Sequence, residues 1–105
     1  MTGLTALLAA HSELLWEGSA VMLGGETPSE AWQWRCQEVD VALRALPSEA
    51  WRAGLVTPEG ASLHADWRRA SSEFERAAAE RRTELAAALQ SLRAGRAGMR
   101  GYADA

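Results

Sequence analysis

The sequence predicts an all-α protein: a three-helix bundle, or antiparallel helical hairpin, with a C-terminal helix much longer than the other two. Apolar residues recur at alternating steps of three and four, which is the spacing of one helix face. The three prolines, Pro28, Pro47 and Pro58, fall at expected helix ends, where proline is tolerated. At 105 residues the chain is expected to form a single domain.

The first helix is expected over residues 3–23, and Gly24 and Gly25 are expected to end it. One face of this segment is apolar along its whole length. His11 lies on that face between leucines, where a packing role is favoured over a role as a ligand or switch because no second histidine or carboxylate accompanies it there. The members of the face are Leu4, Leu7, His11, Leu14, Gly18 and Val21, widened by Leu8, Leu15 and Met22.

The second helix is expected over residues 28–46, because Thr27-Pro28-Ser29-Glu30 has the form of a capping box with proline at the first helical position. Trp34 falls on a different side of this helix from Trp32, since residues two apart on a helix point about 200° apart. One face is apolar and comprises Trp32, Cys36, Val39, Leu43 and Leu46. Pro47 then begins a connector with a short helical turn, in which Ser48 is expected to be the cap and Trp51 and Leu55 apolar anchors.

The third helix is expected over residues 58–99, a rod of about 60 Å. Thr57 is a suitable N-cap, Pro58 suits the first position, and Glu59 complements the helix dipole. The first two helices are expected to pack against its N-terminal two thirds. Its apolar stripe runs through Leu63, Trp67, Ala70, Phe74 and Ala77, meets a charge at Arg81, and resumes in shifted register at Ala78, Leu85, Leu89 and Leu92.

The C-terminal end, residues 95–105, is expected to fray because Gly95, Gly98 and Gly101 each cost about 1 kcal/mol in a helix. Two interpretations remain open for it. The segment is either a solvated helix end whose arginines suit the dipole, or a segment that becomes ordered on a partner through apolar contacts. The residues concerned are Leu92, Met99 and Tyr102, with Arg93, Arg96 and Arg100.

Composition and motifs narrow the function classes. The net charge of −3 disfavours general binding to nucleic acid or to an anionic membrane. The charge is uneven, because residues 1–56 contain three Arg and seven acidic residues, and residues 57–105 contain eight Arg and seven acidic residues. Cys36 is the only cysteine, and it is expected to pack as a small apolar residue. No catalytic or metal-binding motif occurs, so we expect a protein that is not an enzyme and has no cofactor or metal. A cytoplasmic location is expected because a single cysteine allows no internal disulfide and the sequence has no signal-peptide pattern and no apolar run of about 20 residues.

Two stretches resemble a known family. The first contains Trp34 and Arg35 followed by Glu38 and Leu43, and the second is a long terminal helix ending ELAAALQSLRAGRAGMRGYADA. Together they are similar to flagellar type III export chaperones of the FliT and FlgN type. The resemblance covers mainly residues 30–46 and 84–102. It implies a protein that binds an amphipathic helical segment of a hook-associated or filament-cap subunit before export. The partner-binding residues expected on this basis are Trp34, Leu85, Leu89, Leu92, Arg93, Arg96, Met99 and Tyr102.

Two other function classes fit parts of the sequence. Trp16-Glu17-Gly18 matches the W-x-G motif of small secreted helical-hairpin proteins, although there the motif lies at a turn and here it lies within a helical pattern. Alternatively, the chain is a structural helical-bundle or adaptor subunit that forms a homodimer through exposed tryptophans. Five tryptophans exceed what a three-helix protein with alanine-rich faces can bury, so we expect one or two at the surface.

Overall fold

The computed structural model describes residues 3–103, with side chains described for residues 3–95. Four helices follow one another: α1 (Leu4–Leu23), α2 (Glu30–Ala45), α3 (Ser48–Leu55) and α4 (Pro58–Ala103). The predicted all-α class is confirmed. The fourth helix arises because the connector, where a single turn was expected, forms the eight-residue α3. The last helix also extends four residues beyond the predicted end at 99.

The end of α1 is a Schellman motif. The Gly25 N–H donates to the Met22 carbonyl at 3.0 Å, and the Glu26 N–H donates to the Val21 carbonyl at 3.1 Å. These two bonds satisfy carbonyl groups that the last turn of a helix otherwise leaves free. The motif requires a left-handed residue, and Gly25 supplies it with φ of 82°.

The start of α2 differs from the predicted start by two residues. Ser29 is the N-cap, and its hydroxyl accepts a hydrogen bond from the Trp32 N–H at 3.1 Å. Thr27 and Pro28 therefore precede the helix, and the predicted capping box at Thr27 is wrong. The predicted faces of α2 are confirmed, because Trp32 and Leu43 are buried while Trp34 is 61% exposed.

The joint between α3 and α4 is tight. Pro47 is the N-cap of α3 in place of the predicted Ser48, and no side chain caps that helix. The Thr57 hydroxyl accepts from the Gly60 N–H at 3.0 Å and donates to the Gly54 carbonyl at 2.8 Å, as expected of an N-cap for α4. Gly60 is buried against the Gly54 carbonyl, where no side chain has room.

Helix α1 lies at the centre of the bundle. Helix α2 runs antiparallel to it, since Trp32 near the start of α2 contacts Gly18 while Leu43 near its end packs on Leu7. Helix α4 runs parallel to α1, since Trp67 bonds to His11 and the later residue Phe74 lies at the level of Trp32. The core cluster comprises Leu4, Leu7, Leu8 and Leu43, with Val39, Ala42, Leu46, Trp51, Leu55, Leu63 and Trp67 packed around it.

Over residues 58–95, α4 belongs to the bundle only as far as about Arg81. From residue 82 to residue 95 every side chain is exposed, so the cover ends about one turn before residue 85, where the expected two thirds of residues 58–99 would end. The molecule measures 72 × 21 × 19 Å with a radius of gyration of 20.0 Å, against about 13 Å for a compact domain of 100 residues. We call residues 82–95 the projecting segment. The predicted fraying of residues 95–105 concerns motion and stays a prediction.

Candidate partner-binding surface

The projecting segment carries three exposed leucines on one face, which we call the leucine stripe. Leu85 and Leu89 are each 48% exposed, and Leu92 is 60% exposed. Their spacing of four and three places them along one line of the helix. The surrounding residues favour a helix, since alanine, arginine, glutamate and glutamine dominate and Arg81 pairs with Glu84 at 3.1 Å. The result is an apolar line on a helix that is not covered over residues 82–95 by any other part of the chain that the structure describes.

The leucine stripe continues the face by which α4 packs into its own bundle. Phe74 and Leu85 are eleven residues apart, which amounts to about three turns and 20°, so they point in nearly the same direction. Between them lies Arg81, whose side chain is only 20% exposed and whose Nε is buried without a hydrogen-bond partner in the described part of the chain. Arg81, the charge predicted to interrupt the apolar stripe of α4, is thus largely covered. It lies near the point where the bundle ends and the projecting segment begins.

The structure divides the predicted partner-binding residues between two places. Arg93 lies on the projecting segment with the leucines, and it is exposed. Trp34 is exposed on the outer side of α2, opposite the side from which Trp32 stacks on Phe74. Because Leu85 lies about 16 Å further along α4 than Phe74, Trp34 and the leucine stripe do not form one surface. The side chains of Arg96, Met99 and Tyr102 lie outside the described residues.

A groove of about 450 Å³ separates α2 from α4 and has α1 as its floor. His11 lies in it, and its Nδ1 accepts a hydrogen bond from Trp67 Nε1–H at 2.8 Å. Burial lowers the pKa of His11, and the nearby Asp40 carboxylate opposes this only in part. The neutral imidazole is therefore the form that this site favours, which agrees with the packing role predicted for His11.

Cys36 also lines this groove and is partly buried. Burial is the main cause that raises the pKa of the thiol; Glu17 adds to the effect and Arg35 opposes it. A thiol with a raised pKa has little of the nucleophilic thiolate form at neutral pH. The groove thus offers no activated nucleophile at this residue, in line with the packing role expected for Cys36.

A second groove, on the other flank of α1, was not predicted. It has a volume of about 410 Å³, and we call it the Trp16 groove. Trp16 is 45% exposed at its edge, and Leu23, two turns further along α1, is 59% exposed. Trp16, Ala20 and Leu23 share a spacing of four and three, so a second apolar stripe was visible in the sequence outside the main face of α1. Its lining residues are Ala9, Ser12, Glu13, Trp16, Leu63, Asp66 and Arg69.

Three further observations on the described residues concern metal binding, membrane insertion and the W-x-G motif. Among residues 3–95 no group of three or more His, Cys, Asp or Glu side chains is placed to hold a metal ion. Within the described chain, no helix combines the length and apolar character needed to cross a membrane. Trp16-Glu17-Gly18 lies in the middle of α1 rather than at a turn, unlike the W-x-G motif of the secreted hairpin proteins.

In comparisons with known proteins, no protein-family model, no curated protein and no solved structure matches the chain. The exposed leucine stripe is therefore the main basis for assigning a function to the chain.

Proposed function

We propose that this protein is a cytoplasmic export chaperone that binds an amphipathic helical segment of a flagellar hook-associated or filament-cap subunit. The observation that supports it is the leucine stripe, an apolar line on a helix with no cover from its own bundle. A partner helix laid on this line continues the packing that Trp32 of α2 makes on Phe74, on the same face of α4 about three turns earlier. Helix-in-groove recognition of this kind uses apolar anchors at i, i+4 and i+7.

The class of partner comes from the resemblance to the FliT and FlgN type, and the site comes from the geometry. Neither requires a cofactor, a metal or a catalytic group. Trp34 is assigned no direct contact with the helix that covers the leucine stripe, because it lies on the opposite side of α2 and farther back along the bundle.

The test is a calorimetric titration of the full chain with peptides from the terminal segments of the hook-associated and filament-cap subunits of the source organism. The double variant Leu85→Ser/Leu89→Ser should weaken binding about 30-fold, since each half-exposed leucine contributes roughly 1 kcal/mol when covered. Val41→Ser is the matched control, because Val41 is 57% exposed on the outer side of α2. Equal affinity of both variants, or no binding of any such peptide by the wild type, would refute the proposal.

A further inference from the structure

We propose that two copies of this chain form a symmetric dimer in which the α4 helices pack antiparallel, and the projecting segment of each copy lies against α4 and α2 of the other. The surface concerned is the flank of the bundle between α2 and α4, together with the leucine stripe that continues it. The inference is independent of the chaperone proposal, because it concerns how the free protein covers its own exposed surface.

The flank between α2 and α4 has the form of a four-helix bundle that lacks one helix. Helix α1 packs on both α2 and α4, but over the described residues no Cα atom of α2 lies within 8 Å of one in α4. The groove of about 450 Å³ lies between these two helices, with Trp32 and Phe74 at the end nearer the projecting segment. Helices α1, α2 and α4 therefore occupy three corners of a square, and the fourth corner accepts a helix that contacts α2 and α4.

The open corner and the leucine stripe lie on the same side of α4. Phe74 lines the groove, and Leu92 lies 18 residues further on, which is five complete turns, so the two point in the same direction. Leu85 and Leu89 deviate from that direction by about 20° and about 60°. A helix that lies in the groove and passes Phe74 therefore continues onto the leucine stripe, and the two surfaces form one seam.

The seam is self-complementary in an antiparallel arrangement. Its members in the outer half of α4 are Phe74, Ala78, Arg81, Leu85, Ala88 and Leu92. Their spacing of four, three, four, three and four residues is the same in both directions. When Leu92 of one copy lies opposite Phe74 of the other, Ala78 lies opposite Ala88. The large ring thus packs on a leucine, and a small residue packs on a small residue.

This register puts the two-fold axis at residue 83, just beyond the end of the bundle. Because His11 bonds to Trp67 and α1 runs parallel to α4, the last residue of α1, Leu23, lies level with about residue 79 of α4. The two copies of Leu23 are then about 12 Å apart along the helix direction, which leaves room for the turn between α1 and α2 in each copy. The two bundles lie on opposite sides of the axis, and each projecting segment lies alongside the other bundle.

The side of the projecting segment that faces α2 of the other copy has small residues. Ala88 and Gly95 continue the line of Ala77, which packs on α1 within its own copy, since 11 and 18 residues are close to whole numbers of turns. The two-fold axis turns this line toward α2 of the second copy. There it passes Gln33, which is exposed on the α2 side of the groove. The lack of large side chains on this line allows the segment to lie close to both α2 and α4.

Charge favours the antiparallel arrangement over a parallel one. Arg93 is exposed near the far end of the projecting segment, and further arginines follow it in the sequence, whereas residues 1–56 contain three Arg and seven acidic residues. The register places Arg93 beside Glu75 of the other copy, and neither makes an ion pair within residues 3–95. A parallel pair instead aligns each arginine of the segment with its own copy. In the antiparallel pair only Arg82 meets its copy, on the solvated side of the axis.

The buried area agrees with a stable dimer. Helix α4 ends at Ala103, which lies opposite Leu63 in this register, so the two α4 helices overlap by about 61 Å. A helix of that length and about 10 Å wide has a lateral surface of about 1,900 Å². If each helix loses about a third of it, the total is about 1,300 Å², within the range of stable interfaces before the contact with α2 is added. Pairing of the two projecting segments alone buries about 440 Å², below that range.

The test is sedimentation of the full chain, alone and as charged variants. The wild type should sediment as a dimer at micromolar concentration. Ala78→Glu and Ala88→Arg should each raise the dissociation constant at least about tenfold, because each puts an unpaired charge into the seam. Helical circular dichroism should be retained, since neither alanine belongs to the buried core.

Two matched controls carry the same charges outside the seam. Ala20→Glu places a carboxylate on an exposed position of α1, and Ala87→Arg places a guanidinium one residue from Ala88 but about 100° away around α4. Both should leave the dissociation constant within a factor of about two of the wild type.

Mixing the two weakened variants tests the register. In the mixed dimer one Ala78–Ala88 contact is wild type on both sides, and the other brings the introduced carboxylate against the introduced guanidinium. The equimolar mixture of Ala78→Glu and Ala88→Arg should therefore form dimers at a concentration where each variant alone does not.

Crosslinking tests the direction of the helices. In a Cys36→Ala chain, Ala78→Cys/Ala88→Cys should oxidise to a disulfide-linked dimer, because the two positions are about 15 Å apart within one copy, too far for an internal disulfide. Ala78→Cys alone should give no crosslink, since the two copies of residue 78 are equally far apart in the antiparallel pair.

Three results would overturn the proposal. The first is a monomeric wild type, which would leave this flank to a partner helix of another protein. The second is a crosslink in the Ala78→Cys chain alone, which would indicate a parallel pair. The third is a mixture that stays monomeric together with no crosslink in the double-cysteine chain.

Discussion

The contact between Trp32 and Gly18 leaves no room for a side chain at residue 18. A Cβ atom at Gly18 would lie 2.4 Å from Cζ2 of Trp32 and 2.9 Å from Cε2. The indole is 8% exposed, stacks on Phe74 with ring centroids 5.5 Å apart, and donates its Nε1–H to the Leu14 carbonyl at 2.8 Å. A rigid ring held on three sides cannot move aside for a methyl group without losing one of these contacts.

Gly18→Ala is therefore expected to destabilise the protein even though alanine favours a helix. Overpacking of a fixed ring costs about 1–3 kcal/mol, and a strained or lost indole hydrogen bond adds about 1 kcal/mol. The gain in helix propensity is about 1 kcal/mol in the other direction. The net loss in the free energy of unfolding is about 1–3 kcal/mol. Urea denaturation followed by circular dichroism measures it.

The same substitution in a Trp32→Leu chain tests the cause. Without the ring, the alanine methyl group meets no obstacle, and Gly18→Ala should stabilise that chain by about 1 kcal/mol through helix propensity alone. The sign of the effect should thus reverse between the two backgrounds. An effect of Gly18→Ala with the same sign and size in both backgrounds would show that the Trp32 ring is not the cause.

Three further predictions concern other parts of the chain. His11→Gln should flatten the pH dependence of thermal stability below about pH 6.5. Burial lowers the pKa of His11 in the folded state, so the folded protein favours the neutral imidazole. The stability that neutral His11 contributes is therefore present above the unfolded-state pKa and is lost as the pH falls toward the folded-state pKa. Gly60→Ala should cost at least about 2 kcal/mol in urea denaturation, because its Cβ would overlap the Gly54 carbonyl. Leu85→Ser/Leu89→Ser, assayed by urea denaturation at a concentration where the chain is monomeric, should leave the midpoint within the error of the wild type, because neither leucine packs in the bundle.

Local features could be predicted from the sequence where one residue type meets a specific backbone requirement, such as a helix cap or a left-handed turn. Thr57 as a cap, Gly25 after α1 and the two faces of α2 follow from hydrogen-bond chemistry and helix period, and the structure confirms them. The start of α2 was mispredicted because two capping residues lie close together. Ser29 has an extended backbone and caps the helix, so Thr27 lies outside it. The sequence pattern does not show which of the two residues is the cap.

The long-range arrangement was not predictable in the same way. The sequence pattern does not reveal that α4 runs parallel to α1, because this depends on α3 keeping the chain at the end of the bundle where α2 ends and α1 begins. The length of the apolar stripe on α4 suggested cover along two thirds of the helix. The cover stops near Arg81 because α1 ends at Leu23, and the pattern on α4 itself carries no trace of where its neighbour ends.

The parallel pairing of α1 with α4 sets an order of assembly during synthesis. The α1–α2 hairpin joins neighbours in sequence and can close early, but the flank of α1 that accepts α4 stays open until Trp67 and Phe74 have been made. Ala77 is the last buried core residue among residues 3–95, and the projecting segment begins five residues after it. The bundle can therefore close without waiting for the projecting segment. A sequence that takes no part in closing the bundle is free to change with its partner while the fold stays the same.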